Sequence, residues 1–134
     1  MKKTIDELLK TPYWIIDILP KQVPANSAGQ YFNVAKYYMD ENRLQQIKQK
    51  HINVILKINC YKDISIDEEK EINPSVERIE KEMRSRYLYI MIGDSMILSE
   101  ADDTHMTLFN PDEELLELVK EVASKEGLFV WKGV

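Results

Sequence analysis

Short apolar runs alternate along the chain with polar, turn-forming punctuation, and their spacing predicts most of the elements. Thr4-Ile5-Asp6-Glu7 has capping-box spacing, in which the Thr hydroxyl and the Glu carboxylate each satisfy a backbone N–H at a helix start. A short helix to about Lys10 follows, and Thr11-Pro12 ends it because the residue before proline is pushed out of the α region. Tyr13 to Leu19 reads as a mostly apolar first strand interrupted by Asp17. Residues 20–30 show no periodicity; Pro20, Pro24, Asn26, Ser27 and Gly29 mark an irregular connection, and 31–38 fits either a helical piece or an extended one. Asp40 reads as the N-cap of a helix over 41–50, on the spacing of Leu44, Ile47 and His51.

From Ile52 the pattern changes. Ile52, Val54, Leu56, Ile58 and Cys60 alternate with Asn53, Ile55, Lys57, Asn59 and Tyr61, which predicts an extended strand with its apolar side chains on one face. The Cys60 thiol belongs to that face and is expected to be buried and unreactive. Residues 62–72 are charged, Asp67-Glu68-Glu69 among them, and read as a mobile excursion. Asn73-Pro74 then looks like an N-cap followed by a first-turn proline, with Val76, Ile79 and Met83 on one helical stripe. Tyr87–Ile92, Met96–Ser99 and Thr104–Phe109, separated by turns at Gly93-Asp94 and Asp102-Asp103, read as a three-stranded meander. Asn110-Pro111 opens a last helix carrying Leu115, Val119 and Val122, Gly127 closes it, and Leu128–Trp131 reads as a terminal strand that docks back on the sheet. The pattern as a whole is α+β: one domain over residues 1–134, with a single largely antiparallel sheet of about five strands packed with about four helices. Folding at this length buries roughly two-thirds of the unfolded chain's surface.

Composition narrows the function classes. A net charge of −5, from 23 acidic and 18 basic residues, argues against a nucleic-acid surface, because phosphate binding draws its affinity from clustered Lys and Arg. The densest basic stretch, Arg43, Lys48 and Lys50, reads as a solvated helix face. One cysteine cannot form an internal disulfide, which points to a reducing, cytoplasmic setting. The basic start Met1-Lys2-Lys3 is followed at once by Asp6 and Glu7, so no leader is expected. The apolar runs fall well short of the roughly 20 residues a membrane-spanning helix needs. Neither a membrane nor a nucleic acid is expected as a partner.

Candidate chemistry is sparse. Glycines at 29, 93, 127 and 133 form no phosphate-cradling loop, and neither GxSxG nor HExxH occurs, so no cofactor, no metal and no catalytic residue is assigned. Asp102-Asp103-Thr104-His105 places two carboxylates and an imidazole together, a set that can bind zinc or relay a proton. With His51 as the one other imidazole, it reads instead as an acidic hairpin turn followed by a half-exposed strand histidine. His51 reads as a helix-end residue favoured by the negative end of the dipole. Asp17 reads as an acid turned to solvent on an edge strand, the alternative being an acid held by a partner at a site.

Half of the twelve aromatic residues, Tyr13, Trp14, Tyr31, Phe32, Tyr37 and Tyr38, flank the irregular connection. Such side chains suit ligand pockets and protein interfaces as well as cores. The candidate binding residues are therefore Asn26, Ser27, Gln30, Tyr31 and Tyr37, joined by Asp17 and His105. The expected function is that of a small acidic binding domain that recognises a protein or small-molecule partner, a basic protein being one version, through residues 20–38. The alternative is a small hydrolase or transferase using Asp17, Asp94, Asp102, Asp103 or His105, and it requires at least two of these to meet Tyr31 or Tyr37 in a concave pocket. A homodimer through an exposed edge strand, the first or the last, is compatible with either.

Overall fold

The computed structural model describes residues 3–133; Met1 and Lys2 of the basic start lie outside them. A six-stranded antiparallel sheet forms the centre, from β1 (Tyr13–Asp17), β2 (Ser65–Ile66), β3 (Leu88–Ile92), β4 (Ser95–Ser99), β5 (Met106–Phe109) and β6 (Phe129–Lys132), in the order β2-β3-β4-β5-β1-β6. Five α-helices accompany it among the described residues: α1 (Ile5–Leu8), α2 (Ala28–Tyr38), α3 (Glu41–Asn59), α4 (Val76–Ser85) and α5 (Glu113–Lys125). The class is the expected α+β, with one strand and one helix more than expected.

Alternation along the strands divides the sheet into two faces. Ile16, Leu88, Ile90, Ile92, Ile97, Met106 and Leu108 point to the face covered by α3, α4 and α5, whose Ile52, Ile55, Ile58, Ile79, Met83 and Val119 complete the main core. On the other face a smaller cluster of Leu8, Met96 and Phe109, edged by Tyr13, Tyr89, Met91 and Leu98, is capped by α1. The Thr4 capping box forms, with Glu7 N–H donating to Thr4 Oγ1 at 3.2 Å and Thr4 N–H donating to Glu7 Oε1 at 2.9 Å.

The strand predicted over 52–60 is instead the second half of α3, which runs without a break from Glu41 to Asn59. Leu44, Ile47, His51, Ile52, Ile55 and Ile58 also recur at three- and four-residue spacing, so both periods fit the segment. No glycine, proline or turn residue lies between Lys50 and Ile52 to release the chain from the helix, and continuing it keeps every backbone group paired. Cys60 therefore sits exposed at the α3 C-cap, not buried on a strand face. Lys48 and His51 are fully buried mid-helix residues, not part of a solvated face or a helix end.

Both expected Asn-Pro caps shift by two residues. Asn73 and Asn110 adopt φ of 56° and 55°, a left-handed conformation Asn tolerates better than most residues, whereas an N-cap needs extended backbone. Ser75 and Asp112 take the cap positions, accepting hydrogen bonds from Arg78 N–H (3.1 Å) and Leu115 N–H (2.8 Å). Gly93, with φ of 57°, makes the tight β3–β4 turn.

The segment read as a mobile excursion is tied down. Ser65 and Ile66 pair with β3, Arg78 binds Glu69 and Glu71 at 2.5 Å each, and Arg86 reaches Asp67 at 3.1 Å. β1 lies between β5 and β6, so Asp17 is not on an edge strand and the first strand cannot pair with a second copy. The free edges belong to β2 and β6. No helix among the described residues is long and apolar enough to cross a membrane.

Candidate functional site

Strand register assembles the candidate site at one end of the sheet. Ile15 pairs with Thr107 on one side and Trp131 on the other, while Ile16 pairs with Met106 and Asp17 with Phe129. Continuing the β1–β5 register by one residue brings His105 beside Asp17. Opposed residues share a face, so Asp17, His105, Ile15 and Trp131 lie together on the face away from α3. The segment after β1 folds back across them: Trp131 Nε1–H donates to the Leu19 carbonyl at 3.1 Å, and Tyr31 of α2 closes the far side. The result is a cleft of about 210 Å³ with Asp17 and His105 in its lining, apolar walls from Ile15, Leu19 and Val23, and Lys21 and Gln22 at its margin.

Electrostatics distinguish the groups. His105 Nδ1 lies 2.8 Å from Asp103 Oδ1, an ion pair that holds the imidazole pKa above its ordinary value. Desolvation is the largest single influence on Asp103 and favours protonation, but the hydrogen bond and charge of His105 together with the Thr104 and His105 backbone N–H groups outweigh it and leave its pKa lowered. Asp17 has the opposite balance. Burial raises its pKa despite the Ile18 N–H donated to Oδ1 at 2.7 Å, the charge of His105 and the Leu19 N–H, and among the described residues no cation forms an ion pair with it. Glu100, in the same β4–β5 connection, is also raised by desolvation and by the neighbouring Asp103.

Beneath that connection, on the α3 side, Lys48 Nζ donates to the Glu100 carbonyl at 2.5 Å and lies 3.5 Å from Ser99 Oγ. Its burial lowers its pKa to about 8. One turn further along α3, His51 has no hydrogen bond of ordinary geometry at either ring nitrogen, and burial beside Lys48 depresses its pKa to about 3. The connection from Glu100 to His105 is thus held from below by the Lys48 ammonium and faces the cleft with His105.

Of the residues singled out from sequence, Asp17, His105 and Tyr31 meet in this cleft, and Asp103 stands behind His105. Asn26, Ser27, Gln30 and Tyr37 do not line it. Ser27 Oγ donates to the Pro24 carbonyl at 2.8 Å, a local turn contact, and Tyr37 stacks under the Arg43 guanidinium at 3.7 Å. Asp94 lies at the opposite end of the sheet beside a larger groove of about 630 Å³. There Asp112 caps α5 and Asp63 accepts from Asn73 at 2.9 Å, so these polar groups already serve the fold. Trp131 and Lys48 join the site without a sequence signal for it: Trp131 reads only as part of a docking strand, and Lys48 has the same basic, helix-face pattern as Arg43 and Lys50. Among the described residues no set of three or more His, Cys, Asp or Glu side chains is placed to hold a metal ion.

α2 adds a second feature. Phe32 is 67% exposed and Tyr37 53%, and Tyr31, Val34 and the C-cap Met39 are exposed as well. Tyr31 belongs to both features, lining the cleft and starting the exposed apolar surface. Comparison with family models, curated proteins and solved structures finds no match to this chain.

Proposed function

We propose that the protein is a binding protein that recognises a basic protein partner through residues 20–39, with the exposed apolar side chains of α2 as anchors. The observation that carries this reading is α2 itself, an eleven-residue helix that turns Tyr31, Phe32, Val34 and Tyr37 to solvent. Several large apolar side chains left exposed on one short helix are characteristic of interaction surfaces, and large aromatics dominate interface energetics. A net charge of −5 and the acidic Glu100–Asp103 connection favour a partner of opposite charge, whose encounter they would accelerate.

The test is site-specific photo-crosslinking from position 32 in cells, followed by titration of the purified crosslinked protein. The reading expects Phe32→Ser and Tyr37→Ser each to weaken that binding at least about tenfold, as loss of an anchoring aromatic does, with an unchanged melting temperature. Wild-type affinity in both variants, or a crosslink solely to a second copy of this chain, would overturn it.

A second reading, acid–base catalysis in the cleft, is favoured by one observation. Asp103 engages His105 Nδ1, which leaves Nε2 as the nitrogen free for proton transfer beside an Asp17 that burial inclines toward its protonated form. A hydrolytic activity on chromogenic ester, phosphate or glycoside substrates that His105→Gln abolishes and Phe32→Ser spares would establish it.

A further inference from the structure

We infer that the cleft beside β1 takes a single arginine side chain, presented by the partner protein whose recognition was proposed above; the inference rests on that reading and specifies its chemistry. Size comes first. At about 210 Å³ the cleft falls below the roughly 300 Å³ at which pockets for drug-sized ligands begin, and it has room for one extended side chain. Its walls are apolar and aromatic, from Ile15, Leu19, Val23, Tyr31 and Trp131, which suits a methylene stem. It also holds the Asp17 carboxylate, with which no side chain among the described residues forms an ion pair, His105 attracting it only from a distance.

Of the other charges facing Asp17, His105 is paired with Asp103 and attracts Asp17 without bonding it, Asp103 repels it, and Lys21, on the exposed segment that crosses the cleft, forms no ion pair with it among the described residues. Bringing a guanidinium to Asp17 would supply the close counter-charge that burial makes valuable and that the Ile18 and Leu19 N–H groups replace only in part. A planar guanidinium can also stack on Trp131 or Tyr31 while donating to the carboxylate, which a lysine ammonium cannot do in the same way. Tyr31 joins the cleft to the exposed face of α2, so one partner surface can place an arginine in the cleft and apolar side chains against Phe32.

The probe is N-acetyl-arginine methylamide, titrated into the uniformly 15N-labelled full chain at neutral pH and low salt, with N-acetyl-citrulline methylamide as the uncharged isostere. The expected result is saturable shifts at the Trp131 indole N–H and the Ile18 amide, with affinity on the order of millimolar for so small a fragment. Citrulline should bind at least tenfold more weakly, and Asp17→Asn should abolish the arginine shifts while keeping the Ile18 hydrogen bond and an otherwise unchanged spectrum. Tyr31→Ala, on an exposed helix position that tolerates substitution, should weaken the response severalfold. Equal shifts from citrulline, shifts that survive Asp17→Asn, or no shift at tens of millimolar arginine would each overturn the inference. Phe32→Ser should leave the titration unchanged, so the cleft can fail while the α2 surface stands, and the reverse.

Discussion

Two consecutive helices, α2 and α3, show how little local hydrophobicity decides burial. α2, with the sequence AGQYFNVAKYY, carries Lys36 as its one charged residue, yet Tyr31, Phe32, Val34 and Tyr37 face solvent. α3 contains Glu41, Arg43, Lys48, Lys50 and Lys57 and is the central helix of the main core, burying even Lys48 and His51. The difference lies in what each helix meets. α3 crosses the sheet between α4 and α5, so its stripe of isoleucines is covered on three sides and long polar residues on that stripe go in with it. α2 packs only against its neighbours in sequence and the segment that closes the cleft. A strongly apolar helix left at the periphery is the feature that needs a functional explanation.

The largest effect is expected in α3. Ile55→Ala, at a fully buried position, should lower unfolding free energy by about 2–5 kcal/mol, the usual cost of truncating a core aliphatic, read from urea denaturation at pH 7. A loss below 1 kcal/mol would show that α3 is not the keystone this contrast makes it.

The next effect separates the two histidines, which titrate in opposite senses. His51 stays neutral in the folded state down to a pKa of about 3, while the unfolded chain protonates it near 6.5. Between those values the unfolded state binds more protons, so stability falls with falling pH, by up to about 1.4 kcal/mol per unit. His105, raised by Asp103, works the other way: its contribution is full below the unfolded pKa and is lost as pH rises through the folded one. His51→Leu should therefore flatten the decline in urea midpoint between pH 6.5 and 5, and His105→Gln should remove a decline above pH 6.5. An unchanged acid limb in His51→Leu would mean that its burial is not what sets the slope.

Lys48 gives a smaller, alkaline signature. With a folded pKa near 8 and an ordinary one of 10.5, it loses its proton earlier in the folded state, so its contribution makes stability rise with pH between those values. Lys48→Met should remove that rise and leave the Glu100 carbonyl without its donor, which amide exchange in residues 100–105 would report as faster opening. Smallest of all are the α2 substitutions: Phe32→Ala and Tyr37→Ala should change unfolding free energy by no more than about 0.5 kcal/mol, as exposed positions do. A loss of 2 kcal/mol or more in either would make α2 structural and would remove the main support for a partner surface.

Much of the site's raw material was visible in the chain, but not its assembly. The alternation of Tyr13, Ile15 and Asp17 places them on one face of a strand whatever sheet surrounds it. That β1 lies between β5 and β6, which carries Asp17 from a supposed edge to a cleft floor, depends on pairings more than 90 residues apart in the register of Tyr13 with Phe109 and Asp17 with Phe129. In the sequence His105 reads as part of an acidic turn, and its geometry with Asp103 is local. Its approach to Asp17 is not.

By itself the sequence determined what short-range physics controls: the capping box at Thr4, the tight turn at Gly93, the β3–β4–β5 meander, the stripes of α4 and α5 and the α+β class. These follow from backbone preferences and from spacings of a few residues. The apolar residues of 52–59 satisfy both periods, and it was the packing of their helical stripe on the main core that decided for the helix. The tertiary structure likewise decided that Lys48 and His51 are desolvated and α2 is not, since burial depends on which surfaces the rest of the chain brings to cover a helix and not on the composition of the helix.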